Sequence, residues 1–215
     1  MRVNFPLPRP PACMTLLVNH PQRKELRERL QQNIVLRRLK KRAFDEIEQH
    51  LAIMDYRKGD VLLSQGAHDM EQYFVLDGIL KRVVASPEGK EMILRFAAED
   101  EMDTSYAAWR LRTPAPYSIR AVTKAQVAKL PLPQWAAFLD RNPELKEDFE
   151  YEVMYLMSEV MAHTITLHLL DASGRVHRFL RKHPDLAERV PKKELAAYLN
   201  LSAETLSRLK QAGKI

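Results

Sequence analysis

The spacing of apolar residues changes period several times along the chain. Between Gln22 and Leu51 the apolar positions Leu26, Leu30, Leu36, Leu39, Phe44, Ile47 and Leu51 fall at helical intervals among many charges, which predicts short amphipathic helices. The period then shortens. Residues 56–63, 72–76, 79–84 and 91–96 are short strand-like runs separated by glycine-containing turns, a series that predicts an antiparallel barrel or jelly roll. Asp77-Gly78 reads as a hairpin turn of type I′, because both residues accept positive φ.

From 143 to 170 there is no glycine and no internal proline. Phe149, Val153, Leu156, Val160, His163, Leu167 and Leu170 recur there at alternating spacings of four and three. A heptad of this kind keeps one face toward a partner helix, so the segment is expected to form a long helix that pairs in a coiled-coil-like dimer. One long core helix within a monomer is the competing reading. The Ser173-Gly174 pair in 171–176 is expected to break the helix and form a hinge.

The last stretch, 190–211, describes two short amphipathic helices joined by a tight turn, the pattern of a helix-turn-helix. Pro191 suits a first helical turn, and Leu195, Ala196 and Leu199 form an apolar stripe. Asn200 tolerates the left-handed conformation that ends a helix, and Ser202 can cap the next one. In that next helix Leu206 and Leu209 point inward, which leaves Ala203, Glu204, Ser207, Arg208 and Gln211 outward. An ordinary helical hairpin is the plain alternative.

Composition narrows the classes. With 46% hydrophobic residues the 215-residue chain can bury a proper core, and no stretch approaches the roughly 18 apolar residues of a membrane span. The apolar run 14–18 is too short for a secretory signal, so a cytoplasmic location with no membrane partner is expected. Cys13 is the single cysteine, which excludes an internal disulfide and a four-cysteine iron-sulfur site. Residues 1–22 hold five prolines and read as an irregular lead-in, with Cys13 in a mobile tail and Met14 a candidate start.

The net charge of +6 is uneven. Lys and Arg against Asp and Glu give 11 minus 2 in 1–42, 13 minus 21 in 43–170 and 10 minus 5 in 171–215. A basic terminal module on an acidic body suits nucleic acid, because phosphate contact releases counterions. Arg175, Arg178, Arg181, Lys182 and Lys192 are reasonable phosphate contacts.

Ser202, Ala203, Glu204, Thr205, Leu206, Ser207 and Arg208 spell S-x-E-T-x-x-R. This resembles the recognition helix of the cyclic-AMP receptor protein/FNR family of bacterial regulators. The resemblance implies that Glu204 and Arg208 contact base edges, Glu accepting from cytosine and Arg donating to guanine, while Ser202, Thr205 and Ser207 reach phosphates. Ala203 stands where better-known members often place an arginine, so sequence preference is expected to differ. The chain stops at Ile215 just after Gly213, and the two-stranded wing of the family is expected to be absent or cut off.

Gly59-Asp60, Gln65-Gly66 and Phe74-Val75-Leu76-Asp77-Gly78 resemble the turns and strand of the family's sensor roll, and the likeness covers roughly 30–215. Better-known members bind a cyclic nucleotide there with a Gly-Glu pair for the ribose and an Arg-Ser or Arg-Thr pair for the phosphate. Here Thr104 and Ser105 stand near the first pair, and Ala115 and Pro116 occupy the second. The phosphate loses its cation and hydroxyl, while Glu99, Asp100, Glu101 and Asp103 add negative charge, so classical cyclic-AMP control is disfavoured and no cofactor is predicted. Arg110 and Arg112 are the candidate substitute cations, and Tyr106 and Trp109 candidate walls of an altered pocket.

The expected architecture is α+β: a lead-in over 1–29, a cyclic-nucleotide-binding-like β-roll over 30–142, a dimerisation helix over 143–170 and a helix-turn-helix over 171–215. The resemblance further implies a homodimer on an inverted-repeat operator, double-stranded DNA as partner, and contact with RNA polymerase. A jelly-roll metalloenzyme would need converging ligands, yet His68 is the only histidine between 51 and 162. A metal or haem at His163 with Met154, Met157 and Met161 is not favoured either, because methionine fills apolar gaps and a lone histidine finds a hydrogen-bond partner. The remaining alternative is a ligand sensor whose helical tail binds a protein.

Overall fold

The computed structural model describes residues 12–212. The chain begins with β1 (Ala12–Leu16), followed by α1 (Arg23–Leu30) and α2 (Lys41–Glu48). Eight more strands build the roll: β2 (Ala52–Tyr56), β3 (Val61–Leu63), β4 (Glu71–Asp77), β5 (Leu80–Ala85), β6 (Glu91–Ala97), β7 (Met102–Thr104), β8 (Ser118–Ala121) and β9 (Ala125–Pro131), with α3 (Tyr106–Arg110) between the seventh and eighth. Helices follow: α4 (Leu132–Arg141), α5 (Pro143–Leu169), α6 (Ala172–Lys182), α7 (Pro184–Arg189), α8 (Lys192–Tyr198) and α9 (Ala203–Gln211).

All strand pairs are antiparallel, in two sheets ordered β1-β2-β9-β4-β7 and β3-β8-β5-β6. The fold is α+β: an antiparallel β-roll, a long helix and a C-terminal helical unit. Phe74, Ile119 and Val127 are buried in the core together with Trp135 of α4 and Phe149 of α5, and β4 is covered on both faces, so that its consecutive residues Tyr73 and Phe74 are both enclosed. Trp135 meets Phe74 and Phe149 edge-on at centroid separations of 5.5 and 5.3 Å, the geometry that aromatic quadrupoles favour. Among the described residues no helix is long and apolar enough to cross a membrane.

Three local readings need correction. The irregular lead-in expected over 1–22 is overturned from Ala12 onward, and its part over 1–11 lies outside the described residues. From Ala12 the chain is a strand, so Cys13 sits in β1 and not in a mobile tail. Pairing with β2 supplies the backbone partners that make this possible, Leu17 N–H bonds Leu51 C=O at 2.8 Å, and Leu17 is fully buried. Arg23 and Arg27 of α1 then clasp the buried Glu48 carboxylate.

Asp77-Gly78 is not a hairpin. β4 and β5 belong to different sheets, and only Gly78 has positive φ, +86°. The chain crosses from one sheet to the other here, tied by Gly78 N–H to Glu99 (2.7 Å) and Ile79 N–H to the Thr123 hydroxyl (2.9 Å). A Cβ on Gly78 would stand 2.2 Å from Lys124 O, so close approach as well as φ requires glycine.

The helix break also moves. Leu170 is extended at φ −98° and ψ 147°, and Asp171 caps α6 by accepting from Gly174 N–H at 2.8 Å. Ser173 and Gly174 therefore lie inside a helix, because the aspartate cap one turn upstream fixes its start.

Candidate functional site

The outward edge of α9 is set by its cap and its apolar face. Asn200 takes φ +52°, Leu201 N–H bonds Ala196 C=O at 2.8 Å, and the Ser202 hydroxyl accepts from Thr205 N–H at 3.0 Å. Leu206 is buried against α8 and Leu209 half-buried, which leaves Ser202, Ala203, Glu204, Ser207, Arg208 and Gln211 exposed. Glu204 and Arg208 make no ion pair among the described residues, and Arg208 reaches only the Thr205 hydroxyl, at 3.5 Å. Lys192 and Arg181 are exposed nearby in sequence.

Two other basic residues are committed elsewhere. Arg175 donates to Leu170 C=O (2.9 Å) and Leu199 C=O (3.2 Å), pinning the break before α6 to the end of α8, and Lys182 pairs with Glu159 of α5. Arg178 is half-buried. The wing expectation concerns residues beyond 212, outside the described ones.

Inside the roll the structure corrects the expected cations. Arg110 and Arg112 are exposed; Arg110 donates to the Tyr106 hydroxyl at 3.0 Å and Arg112 sits in a turn at φ +56°. Thr104, Ser105 and Ala115 are buried, but Pro116 is exposed. Ala115 is held in a corner by Gly66 N–H and Ala67 C=O, each at 2.8 Å. The interior cations are Arg82 and Arg95, cross-strand partners on β5 and β6. Arg82 donates to Asp103 Oδ1 at 2.6 Å and to Thr104 C=O at 3.1 Å, with its guanidinium 4.7 Å over the Tyr117 ring. Arg95 donates to Glu101 (2.8 Å) and Met102 C=O (3.1 Å) and lies 3.6 Å from Asp103 Oδ2. Burial opposes the charge on Arg82, but Asp103 outweighs it and holds the guanidinium above its ordinary pKa.

The signal for this cluster was the alternation itself, since Leu80 and Arg82 share a strand face. Tyr106 packs edge-on against Phe149 at 4.9 Å. Trp109 lines a surface cleft of about 380 Å³ with His68, Met70 and Pro131.

The outer face of β5–β6 carries the C-terminal helices. Lys81 bonds Glu194 of α8 at 2.7 Å, Phe96 meets Tyr198 at 5.2 Å, and Arg189 grips Glu99 with two bonds of 2.8 and 2.6 Å. Ile79, Val83 and Ile93 share one buried cluster with Phe179, Leu195 and Leu199. His163 of α5 stacks on Tyr198 at 3.8 Å and 4°, and its Nε2 lies 3.1 Å from Tyr198 C=O. Burial pushes His163 down to about pKa 4, so the ring is neutral and donates to that carbonyl.

That placement corrects the seam. Phe149, Leu156 and His163 are buried against their own chain, Val153, Val160 and Leu167 are half-buried on the same side, and Leu170 ends the helix. The roll and the C-terminal helices take this face because both lie alongside α5. The unpaired apolar stripe is Tyr151, Met154, Met161 and Ile165, flanked by Tyr155, Met157 and Leu169, with Met154 and Met161 63% and 65% exposed. Its spacings of three, seven and four continue a heptad on another face.

The Cyclic nucleotide-binding domain profile matches residues 53–142. The cAMP-activated global transcriptional regulator CRP of Salmonella typhimurium is 21% identical over 170 residues, which cover 74% of this chain and 81% of that protein. The nitrogen fixation regulation protein FixK of Bradyrhizobium diazoefficiens is 25% identical over 164 residues, covering 71% and 68%. The chain is thus similar to regulators of the Crp/Fnr family. Among solved structures, the c-di-GMP responsive global regulator CLP of Xanthomonas campestris superposes with a TM-score of 0.67 at 16% identity, over 81% of this chain and 92% of that one, a likeness of fold. These Crp/Fnr relatives are regulators of transcription, not enzymes.

Proposed function

We propose that this protein is a dimeric, sequence-specific DNA-binding transcription regulator of the Crp/Fnr type. The observation that carries the reading is the outward edge of α9, where Glu204 and Arg208 stand one turn apart, exposed and without an ion pair among the described residues. Glu204 accepts from cytosine N4 and Arg208 donates to guanine O6 and N7, while Ser202, Thr205, Ser207, Gln211 and Lys192 serve the backbone and flanking positions. Two protomers pair through the Met154, Met161 and Ile165 stripe of α5, which sets two α9 helices for an inverted repeat. RNA polymerase is the further partner that the likeness to Crp/Fnr regulators suggests.

The roll tunes this binding without classical cyclic-AMP control. CRP is named for cyclic AMP activation, but here Ala115 and Pro116 replace the phosphate-binding pair and Arg82 is already bonded to Asp103. Fluorescence anisotropy with an inverted-repeat duplex tests the whole reading: affinity is expected to fall steeply with salt and to exceed that for scrambled DNA. Equal affinity for both sequences would favour the protein-binding tail instead.

A further inference from the structure

The Arg82–Asp103 pair spans the roll. Arg82 belongs to the sheet ordered β3-β8-β5-β6 and Asp103 to the other, so the Asp103 carboxylate carries negative charge across the interior to Arg82 and faces Arg95, which also bonds Glu101 at 2.8 Å. Asp103 is fully buried, and Tyr117 closes the same space by donating to Thr104 C=O at 2.6 Å. One carboxylate oxygen takes Arg82 and Thr104 N–H, at 2.6 and 2.7 Å; the other has no hydrogen bond and faces Arg95 at 3.6 Å. Two inward cations, an aromatic wall and a buried hydroxyl on Ser105 are what an anion would be offered here, and the chain supplies that anion itself.

We propose that Asp103 is a tethered anion filling the seat formed by Arg82 and Arg95, so that the roll holds this conformation with no diffusible anionic effector. The neighbours of the two arginines pass the tie outward. Lys81 and Phe96, next in sequence to Arg82 and Arg95, face the opposite side and hold Glu194 and Tyr198 of α8. A seat filled from within therefore fixes the sheet on which α8 rests. Only this last consequence depends on the reading of the protein as a DNA-binding regulator; the occupancy is tested without DNA.

The test compares the full chain with Asp103→Ala and Asp103→Asn by thermal unfolding, in sodium formate and in equimolar sodium chloride. Removing one partner of a buried pair is expected to lower the midpoint by about 10 °C in the alanine variant. Formate, entering the vacated seat, restores at least half of that loss in Asp103→Ala, and chloride does not. The asparagine variant is also destabilised, yet it gains nothing from formate because the amide fills the space. Cyclic AMP and cyclic GMP are expected to show no saturable calorimetric binding to the wild type at millimolar concentration.

An Asp103→Asn midpoint equal to wild type, or formate and chloride acting alike on Asp103→Ala, overturns the proposal. So does cyclic-nucleotide binding to the wild type that Arg82→Ala abolishes. Should Asp103→Ala not fold, the asparagine midpoint and the wild-type titrations still decide. Loss of sequence-specific DNA binding with formate rescue intact would sink the regulator reading and leave the tethered anion standing.

Discussion

Lys81 and Arg82 are consecutive residues of β5 whose side chains leave on opposite faces of one sheet, Lys81 to Glu194 of α8 and Arg82 to Asp103 in the roll interior. One strand thickness thus separates the interior of the roll from the helix-turn-helix. Both pairs are largely buried, so removing a single partner strands a charge. Glu194→Ala is expected to cost on the order of 3 kcal/mol in urea unfolding, and a double-mutant cycle with Lys81→Ala should recover most of that as coupling.

The two faces of α5 should respond differently to substitution. Leu156→Ala opens a cavity in the protomer core and is expected to cost about 2–4 kcal/mol. Met161→Glu lies on the exposed stripe and should leave protomer stability within about 0.5 kcal/mol while shifting sedimentation toward the monomer. A dimer that survives Met161→Glu but not Val160→Glu would return the seam to its original face.

Much of this architecture was legible. Asn200 and Ser202 announce their turn because left-handed tolerance and hydroxyl capping are properties of single residues, and the strand runs announce themselves by period. What was hidden depends on contacts distant in sequence. A heptad reports that a helix has an apolar face; it does not say whether roll or partner covers that face, and α5 has apolar residues on both. Gly78 signalled a turn, but which sheet the chain entered next was fixed by Glu99 and Thr123, well over a dozen residues downstream. The Arg82–Asp103 pair escaped notice because inward charges look like surface charges until the strands are placed.

Gly78 and Gly89 both have positive φ, yet only Gly78 is hemmed in. Gly89→Ala should cost about 1–2 kcal/mol from backbone strain alone. Gly78→Ala adds a collision with Lys124 O and should cost clearly more, measured by the urea midpoint.

His163 makes stability depend on pH. Its folded pKa of about 4 lies below the ordinary 6.5, so the unfolded chain binds more protons between those values. The stability its burial provides is complete above pH 6.5 and declines as pH falls toward 4. Urea midpoints of the wild type should drop over that window more steeply than those of His163→Gln, which is less stable at neutral pH and carries no imidazole to protonate.

The central claim is that the edge of α9 discriminates among bases, and selection from a random duplex library measures this directly. Wild type should enrich an inverted repeat with half-sites about one helical turn apart, and Arg208→Ala should lose preference at one position of each half-site, by about 1–3 kcal/mol. Enrichment of no sequence, or a wild-type motif unchanged by Arg208→Ala and Glu204→Ala, would contradict the account.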